Sequence, residues 1–247
     1  MNIYHKKSKV IVICGPTAVG KTEEAIYLAE LFDGEIISAD SRQIYKHLDI
    51  GTAKPTPEEQ AKAVHHMIDI AEPDEPFDAR AFAQMAHRIA SGLICKGKTP
   101  FLVGGTGFYI KAFIHGLFLG SASDYAIRSR LKSDAEKFGS DFLFDRLKRY
   151  DPETARKLHP NDIYRIIRAL EVFETTGKPI SRYHQEHRFA EKACSCLKIG
   201  LYLERAELYD RIDRRVDKMI KKGLLDEVRG LRSEEHTSEL QSLLIIS

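Results

Sequence analysis

No apolar run in this 247-residue chain approaches the roughly 18 residues that a bilayer-spanning helix requires, so no membrane association is expected. Cysteine is sparse as well. Cys14, Cys95, Cys194 and Cys196 form no CxxC unit, and the isolated Cys194-Ser195-Cys196 triplet lacks the second pair a zinc site needs. Reduced thiols in a cytoplasmic protein are the expectation. Internal repeats and low-complexity tracts are absent. The amino-terminal "MNIYHKKSKVIVIC" sets basic residues before an apolar run, but that run is short and leads straight into a glycine-rich loop, so no secretory signal is expected.

What is present reads as a globular enzyme. Hydrophobic residues make up 43% of the chain and charged residues 30%, enough for one good core with room for a smaller second domain. The net charge of +2 is unevenly spread: residues 111–231 carry 25 Lys and Arg against 19 Asp and Glu, while residues 1–110 are slightly acidic. A basic second half suits a polyanion such as RNA, although solvated helix faces produce the same count.

"KVIVICG" is a short β-branched strand ending at glycine, and "EEAIYLAELF" follows as a helix with Ile26, Ala29 and Phe32 at helical spacing. "GEIISAD" predicts a second strand, a polar Pro-containing segment follows, and "FDARAFAQMAHRIASGLICKGK" predicts a helix leading into the strand "TPFLVGG". From about Gly116 to Glu191 the pattern is helical, broken at Gly139, Pro152, Pro160 and Gly177. "CLKIGLYLE" then returns as a strand before one long amphipathic helix over residues 206–229. The expected fold is α/β, a P-loop NTPase-like doubly wound parallel sheet with a helical insertion domain. Its parts are a first core segment (1–115), the insertion (116–191), and a return to the core (192–231).

Between the first strand and helix stands "GPTAVGKT": Gly15, Pro16, Thr17, Ala18, Val19, Gly20, Lys21 and Thr22. The glycines let backbone N–H groups turn toward phosphate oxygens, Lys21 supplies a point charge, and the Thr22 hydroxyl suits Mg²⁺. An ATPase of this type also needs an acid closing another apolar strand, yet "FLVGG" ends in glycines. The acid that does close a central strand is Asp40. It serves as a local turn or helix cap, as a metal ligand, or as a base toward whatever attacks the bound substrate. A small-molecule kinase using ATP has the same two features.

Five blocks in order extend the reading: "GPTAVGKT", "SADSRQIYKHLDIGTAKP", "HHMIDI", "LVGGTGFYIKA" and "HPNDIYRIIRALEV". Together they resemble the tRNA dimethylallyltransferases, from about Val10 to Leu231. The resemblance implies transfer of a dimethylallyl group from dimethylallyl diphosphate to N6 of the adenosine 3′ of the anticodon, in the anticodon stem-loop of tRNA. It implies that residues 15–22 hold the diphosphate, with Lys21 and Mg²⁺ on Thr22 countering leaving-group charge, and that Asp40 takes the amine proton. It also implies tRNA contacts from Asp40, Ser41, Arg42, Gln43, Thr106, Tyr164, Arg165 and Arg168, the last three in the insertion.

Further cations are expected from "LYDRIDRRVDK", where Arg211 and Arg214 share a helix face at i, i+3. The same pair reads equally as a solvated face opposite Ile212, Val216 and Met219. Thr106 doubles as a helix cap, and Arg165 and Arg168 as structural residues beside a core face of Ile163, Ile166, Ile167 and Leu170. Adjacent His65 and His66 point different ways on a helix or a strand, so they read as a structural pair. A kinase is the alternative function, a non-catalytic RNA-binding protein the third, and a monomer is expected. The last sixteen residues, from Arg232, read like an in-frame sequencing adapter and are expected to be extraneous to a chain cut short at Leu231.

Overall fold

Short apolar runs that end in glycine or small polar residues build one parallel sheet. In the computed structural model, residues 10–117, 124–187 and 194–231 are described. The basic stretch before Val10 and the adapter-like tail lie outside the described residues. The chain divides into two compact units, residues 1–115 with 192–247 and residues 116–191.

In the first unit the strands are β1 (Val10–Cys14), β2 (Gly34–Ser38), β3 (His65–His66), β4 (Thr99–Gly104) and β5 (Cys196–Gly200). Their order is β3-β2-β4-β1-β5, and every pairing is parallel. The connections diverge on either side of β1 and β4, which opens the crevice at their carboxyl ends where ligands of such sheets bind. Strand β3, two residues long, is too short to leave a periodic signal. It pairs His65 and His66 with Ile36 and Ile37.

Helix α1 (Lys21–Leu31) follows the glycine-rich loop and buries Ala25, Ile26 and Ala29. These pack with Ile13, Ile36, Phe101 and Val103 of the sheet. Phe32, placed on the apolar face by its spacing, instead caps the helix and is exposed, because the chain turns at Asp33 with φ 44°. The polar segment after β2 holds a short helix, α2 (Pro57–Lys62), which Thr56 and Glu59 start with a capping box. Helices α3 (Ala79–Cys95) and α4 (Gly107–His115) pack together, with the Phe82 and Tyr109 rings stacked at 4.3 Å.

The second unit is wholly helical among its described residues: α5 (Tyr125–Phe138), α6 (Ser140–Tyr150), α7 (Pro152–Ala155), α8 (Ile163–Thr176) and α9 (Ile180–His187). Gly139 and Gly177 adopt φ 86° and 70° at helix ends, where an L side chain would be strained. Leu131, Leu143, Leu147, Ile166 and Leu170 form the core. Beside it Glu171 is fully buried, accepting from Arg128, Arg168 and the Asp124 amide at 2.8 Å each.

Back in the first unit, the single helix expected over 206–229 is two: α10 (Arg205–Lys221) and α11 (Leu224–Leu231). Gly223, at φ 97°, separates them. Among the described residues no helix is long and apolar enough to cross a membrane.

Candidate active site

The loop between β1 and α1 has its shape for two local reasons. A Cβ at Gly15 would lie 2.8 Å from the Leu201 carbonyl and 3.1 Å from Val19 Cγ1, so no side chain fits there. Gly20 enters the helix at φ 98°, a left-handed conformation that glycine adopts freely. Ala18 takes φ 65° without that freedom, which is backbone strain held at a candidate site. Val19 is buried beneath the loop, while Pro16 and Thr17 face solvent.

Lys21 Nζ donates to the Gly15 carbonyl at 3.0 Å and to the Pro16 carbonyl at 2.7 Å, which holds the ammonium inside the loop. Burial pulls its pKa below the usual lysine value, the Asp40 carboxylate opposes that shift, and Arg215 adds to it. Thr22 lines the same pocket as Lys21, Ser38, Asp40, Gln43 and His65.

Asp40 lies just past the end of β2. Its Oδ1 accepts from the Arg42 amide at 2.8 Å and the Gln43 amide at 3.4 Å, so the turn-capping reading holds. Pocket lining and turn capping coexist, since a carboxylate has two oxygens. The next residues are tied down in turn. The Ser41 amide donates to Thr106 Oγ1 at 3.0 Å, and the Thr106 amide donates to the Ala39 carbonyl at 3.2 Å. Thr106 also supplies the carbonyl that the Ile110 amide meets at the start of α4. Gln43 accepts from Ser38 Oγ at 3.0 Å and donates to the Thr52 and Ala53 carbonyls at 3.3 and 3.1 Å. Gln43 therefore braces the pocket wall that it also lines.

The first glycine after "FLV" has a steric reason. A Cβ at Gly104 would sit 2.1 Å from the Ala39 carbonyl oxygen, whereas one at Gly105 would make only ordinary contact, 3.8 Å from Lys21 Nζ. An acidic side chain at Gly104 would force β2 and β4 apart.

Helix α10 presents arginines to this loop, with one correction. Arg215, not Arg214, makes the contact: its Nη1 donates to Thr17 Oγ1 at 3.3 Å. Burial lowers the Arg215 pKa and the Asp40 charge opposes the shift. Arg214 points outward and pairs with Asp210, both exposed. Arg211 keeps the expected side, with Nη1 4.0 Å from where a Gly20 Cβ would stand, and it pairs with Glu207 at 2.9 Å. Leu208, Ile212, Arg215 and Met219 share the half-buried stripe of α10. That spacing was the available signal for Arg215.

The two histidines separate as adjacent strand residues must. His66 pairs with Glu35 at 2.7 Å, a carboxylate that Lys98 also contacts at 2.7 Å. His65 lines the pocket; its Nδ1 donates to the Ala63 carbonyl at 2.7 Å, and burial lowers its pKa. Among the described residues no group of three or more His, Cys, Asp or Glu gathers as a metal cage. The cysteines are free, and burial pushes the Cys194 thiol up to about 12.

In the insertion unit, Tyr164 and Arg165 stand exposed on the first turn of α8, with Arg165 paired to Asp162 at 3.0 Å. Arg168 is turned to the buried Glu171 instead.

Comparison with known proteins adds a second line of observation. The family model described as IPP transferase matches residues 43–246, and one described as isopentenyl transferase matches residues 8–71. A tRNA dimethylallyltransferase of Desulfosudis oleivorans is 53% identical over 96% of this chain and 76% of its own length. The tRNA isopentenylpyrophosphate transferase of Bacillus halodurans, whose structure is solved, is 43% identical with a TM-score of 0.60, covering 91% of this chain and 70% of that one. A eukaryotic dimethylallyltransferase, in structures described as acting on tRNA, is 32% identical with a TM-score of 0.80, over 94% of this chain and 57% of that one. The sheet is thus the P-loop NTPase-like sheet of these enzymes. By sequence and by fold, the chain belongs to the IPP transferase family of tRNA dimethylallyltransferases.

Proposed function

We propose that this chain transfers a dimethylallyl group from dimethylallyl diphosphate to N6 of the adenosine 3′ of the anticodon in tRNA. The observation that carries the reading is one pocket holding Lys21, Thr22 and Asp40, with Arg215 bonded to the loop beside it. Family membership supports prenyl transfer over the kinase alternative, since the relatives are named tRNA dimethylallyltransferases.

The diphosphate sits on the backbone of residues 15–22, where N–H groups and the start of α1 favour an anion. As the C1–O bond breaks, charge gathers on the departing diphosphate, and Lys21 and Arg215 stabilise it. Lys21 must exchange its two loop carbonyls for phosphate oxygens, and its lowered pKa reflects burial in that loop. The donor set fits magnesium bound mainly through substrate: Thr22 offers one hydroxyl beside Asp40, with no protein cage among the described residues. Magnesium, when bound there, supplies further neutralisation of diphosphate charge.

The nucleophile is weak, because the adenine amine lone pair is delocalised into the ring. Asp40 orients that amine and accepts one N6 proton as the N6–C1 bond forms, so diphosphate leaves and the base gains the isoprenoid. General-base help of this kind contributes roughly 10²–10⁴-fold. The acceptor adenosine is splayed from a single-stranded loop into the crevice. Ser41 and Arg42 flank it there, while in the insertion Tyr164 and Arg165 offer an exposed ring and an exposed cation to RNA.

The test is incubation with labelled dimethylallyl diphosphate and tRNA, and in parallel with labelled ATP. Label in the RNA is the expected outcome. Consumption of ATP without label in the RNA overturns the reading in favour of a kinase.

A further inference from the structure

Glu227 on α11 is far from Asp40 in sequence and does not line the pocket, yet hydrogen bonds linked by short stretches of backbone join the two. Its carboxylate closes on three consecutive backbone amides. Oε2 accepts from Asp49 N at 2.8 Å and Ile50 N at 2.7 Å, and Oε1 accepts from Gly51 N at 2.9 Å. Three N–H groups converging on one carboxylate form an anion nest, and bonds of this charge-assisted kind are about twice as strong as neutral ones. Gly51 favours the approach: a Cβ there would lie 3.1 Å from Leu224 Cδ1 and 3.3 Å from Glu227 Oε1, so both side-chain ends would have to give by a few tenths of an ångström.

The clamped segment is one tight turn. The Ala53 amide donates to the Ile50 carbonyl and the Lys54 amide to the Asp49 carbonyl, each at 3.0 Å. Ala53 is held at φ 47° and His47 at φ 63°, conformations that persist only where surrounding bonds enforce them. Lys54, its side chain 5% exposed, fixes the turn from within through the Tyr45 carbonyl, Asp49 and Asp69. The carbonyls the turn presents inward, Thr52 and Ala53, are those that hold the Gln43 amide group. The backbone amide of Gln43 in turn donates to Asp40 Oδ1.

We propose that Glu227 is a positioning residue for Asp40, acting through the 49–53 turn and Gln43. The inference deepens the prenyl-transfer reading and rests on it for its kinetic consequence. Glu227 touches neither substrate. Its loss lets the turn relax, shifts Gln43, and misplaces the base relative to the amine, while the diphosphate loop keeps its own bonds.

The experiment compares the wild-type chain with Glu227→Gln, Gly51→Ala and, as control, Asp226→Asn, whose side chain makes an exposed pair with Arg229. Glu227→Gln keeps shape and one acceptor oxygen but turns an NH₂ group toward N–H donors. Two readouts are taken: amide hydrogen exchange at residues 41–43 and 49–51, and kcat with separate KM values for dimethylallyl diphosphate and tRNA. Glu227→Gln and Gly51→Ala are expected to speed exchange in both segments and to lower kcat by on the order of tenfold. The KM for dimethylallyl diphosphate is expected to stay within about twofold, as for an interaction made only toward the transition state. Asp226→Asn leaves all readouts at wild-type levels. Faster exchange at 49–51 with no change at 41–43 overturns the coupling, as does wild-type kcat in Glu227→Gln. Should the wild-type chain label no RNA, the activity reading fails by itself, and the exchange data still decide whether Glu227 holds the Asp40 turn.

Discussion

Arg215 reaches the Thr17 hydroxyl across 3.3 Å although 198 residues separate them in the chain. The contact ties the last strand-and-helix segment of the core to the first, and puts a guanidinium beside the loop that holds the diphosphate in the proposed mechanism. Arg215→Ala is therefore expected to weaken diphosphate binding by about 2 kcal/mol, or roughly 30-fold, the scale of a hydrogen bond to a charged group. Arg214→Ala, one residue away but paired with Asp210 at the surface, is expected to leave it unchanged. Calorimetric titration with inorganic diphosphate checks both variants, and equal losses would refute the assignment.

Asp40 caps its turn and, in the proposed mechanism, serves as the base; substitution can separate the two. Asp40→Asn retains an oxygen for the Arg42 and Gln43 amides, so the turn should survive, but an amide cannot take a proton. The expected result is a fall in kcat of roughly 10²–10⁴-fold with diphosphate affinity and melting temperature near wild type. Asp40→Ala should lose activity and also about 1 kcal/mol of stability, the usual cost of a lost capping side chain. Single-turnover kinetics with thermal melts distinguish the two; an Asn variant that keeps full kcat removes Asp40 as the base.

Acid stability should fall in two stages. His65 and His87 are both held below the ordinary histidine value by burial, His87 while stacked on Phe113 at 4.2 Å. The unfolded chain therefore binds more protons than the folded one near and below a pH of about 6.5, and folding loses stability as pH drops through that range. Glu35 acts lower. Burial alone would raise its pKa, but hydrogen bonds from Lys98 and His66 outweigh that and lower it. Its contribution is complete above the ordinary carboxylate value and is lost as pH falls below about 4.5. Melting temperatures between pH 7.5 and 4 are expected to show both stages, with His87→Gln reducing the first by a few degrees. A flat profile down to pH 5 would contradict this account.

The parts legible in the sequence are those set by local chemistry. Gly20 and Lys21 announce the loop because only nearby backbone geometry is involved. The glycine breaks at Gly139 and Gly177 end helices by the same local rule. What escaped depends on distant partners. Arg215 was missed because a count of 211 and 214 at i, i+3 cannot say which side of a helix faces the loop; the apolar stripe of Leu208, Ile212 and Met219 does. His65 and His66 are satisfied and face different ways, as adjacent residues must; that His65 also lines the pocket depends on how β3 sits in the sheet. Gly104 looked like a missing acid, when the close passage of the Ala39 carbonyl excludes any side chain. The break at Gly223 was hidden by an apolar pattern that continues on both sides of it.

Two arginines three residues apart on α8 should behave oppositely. Arg165 is 71% exposed and bonded within its own turn, to Asp162, whereas Arg168 Nη1 meets the fully buried Glu171 at 2.8 Å. If Arg165 serves RNA, Arg165→Ala should weaken tRNA binding and reduce its salt dependence by about one ion, with no change in unfolding. Arg168→Ala should instead lower stability by about 2 kcal/mol, since it leaves a buried carboxylate with fewer partners. Glu171→Ala should cost more, because Arg128, Arg168 and the Asp124 amide all lose their acceptor. Urea unfolding and tRNA binding at several salt concentrations separate the two effects. Were Arg168→Ala to lose tRNA affinity at unchanged stability, Arg168 would belong to the RNA surface and the structural role of the Glu171 cluster would be withdrawn.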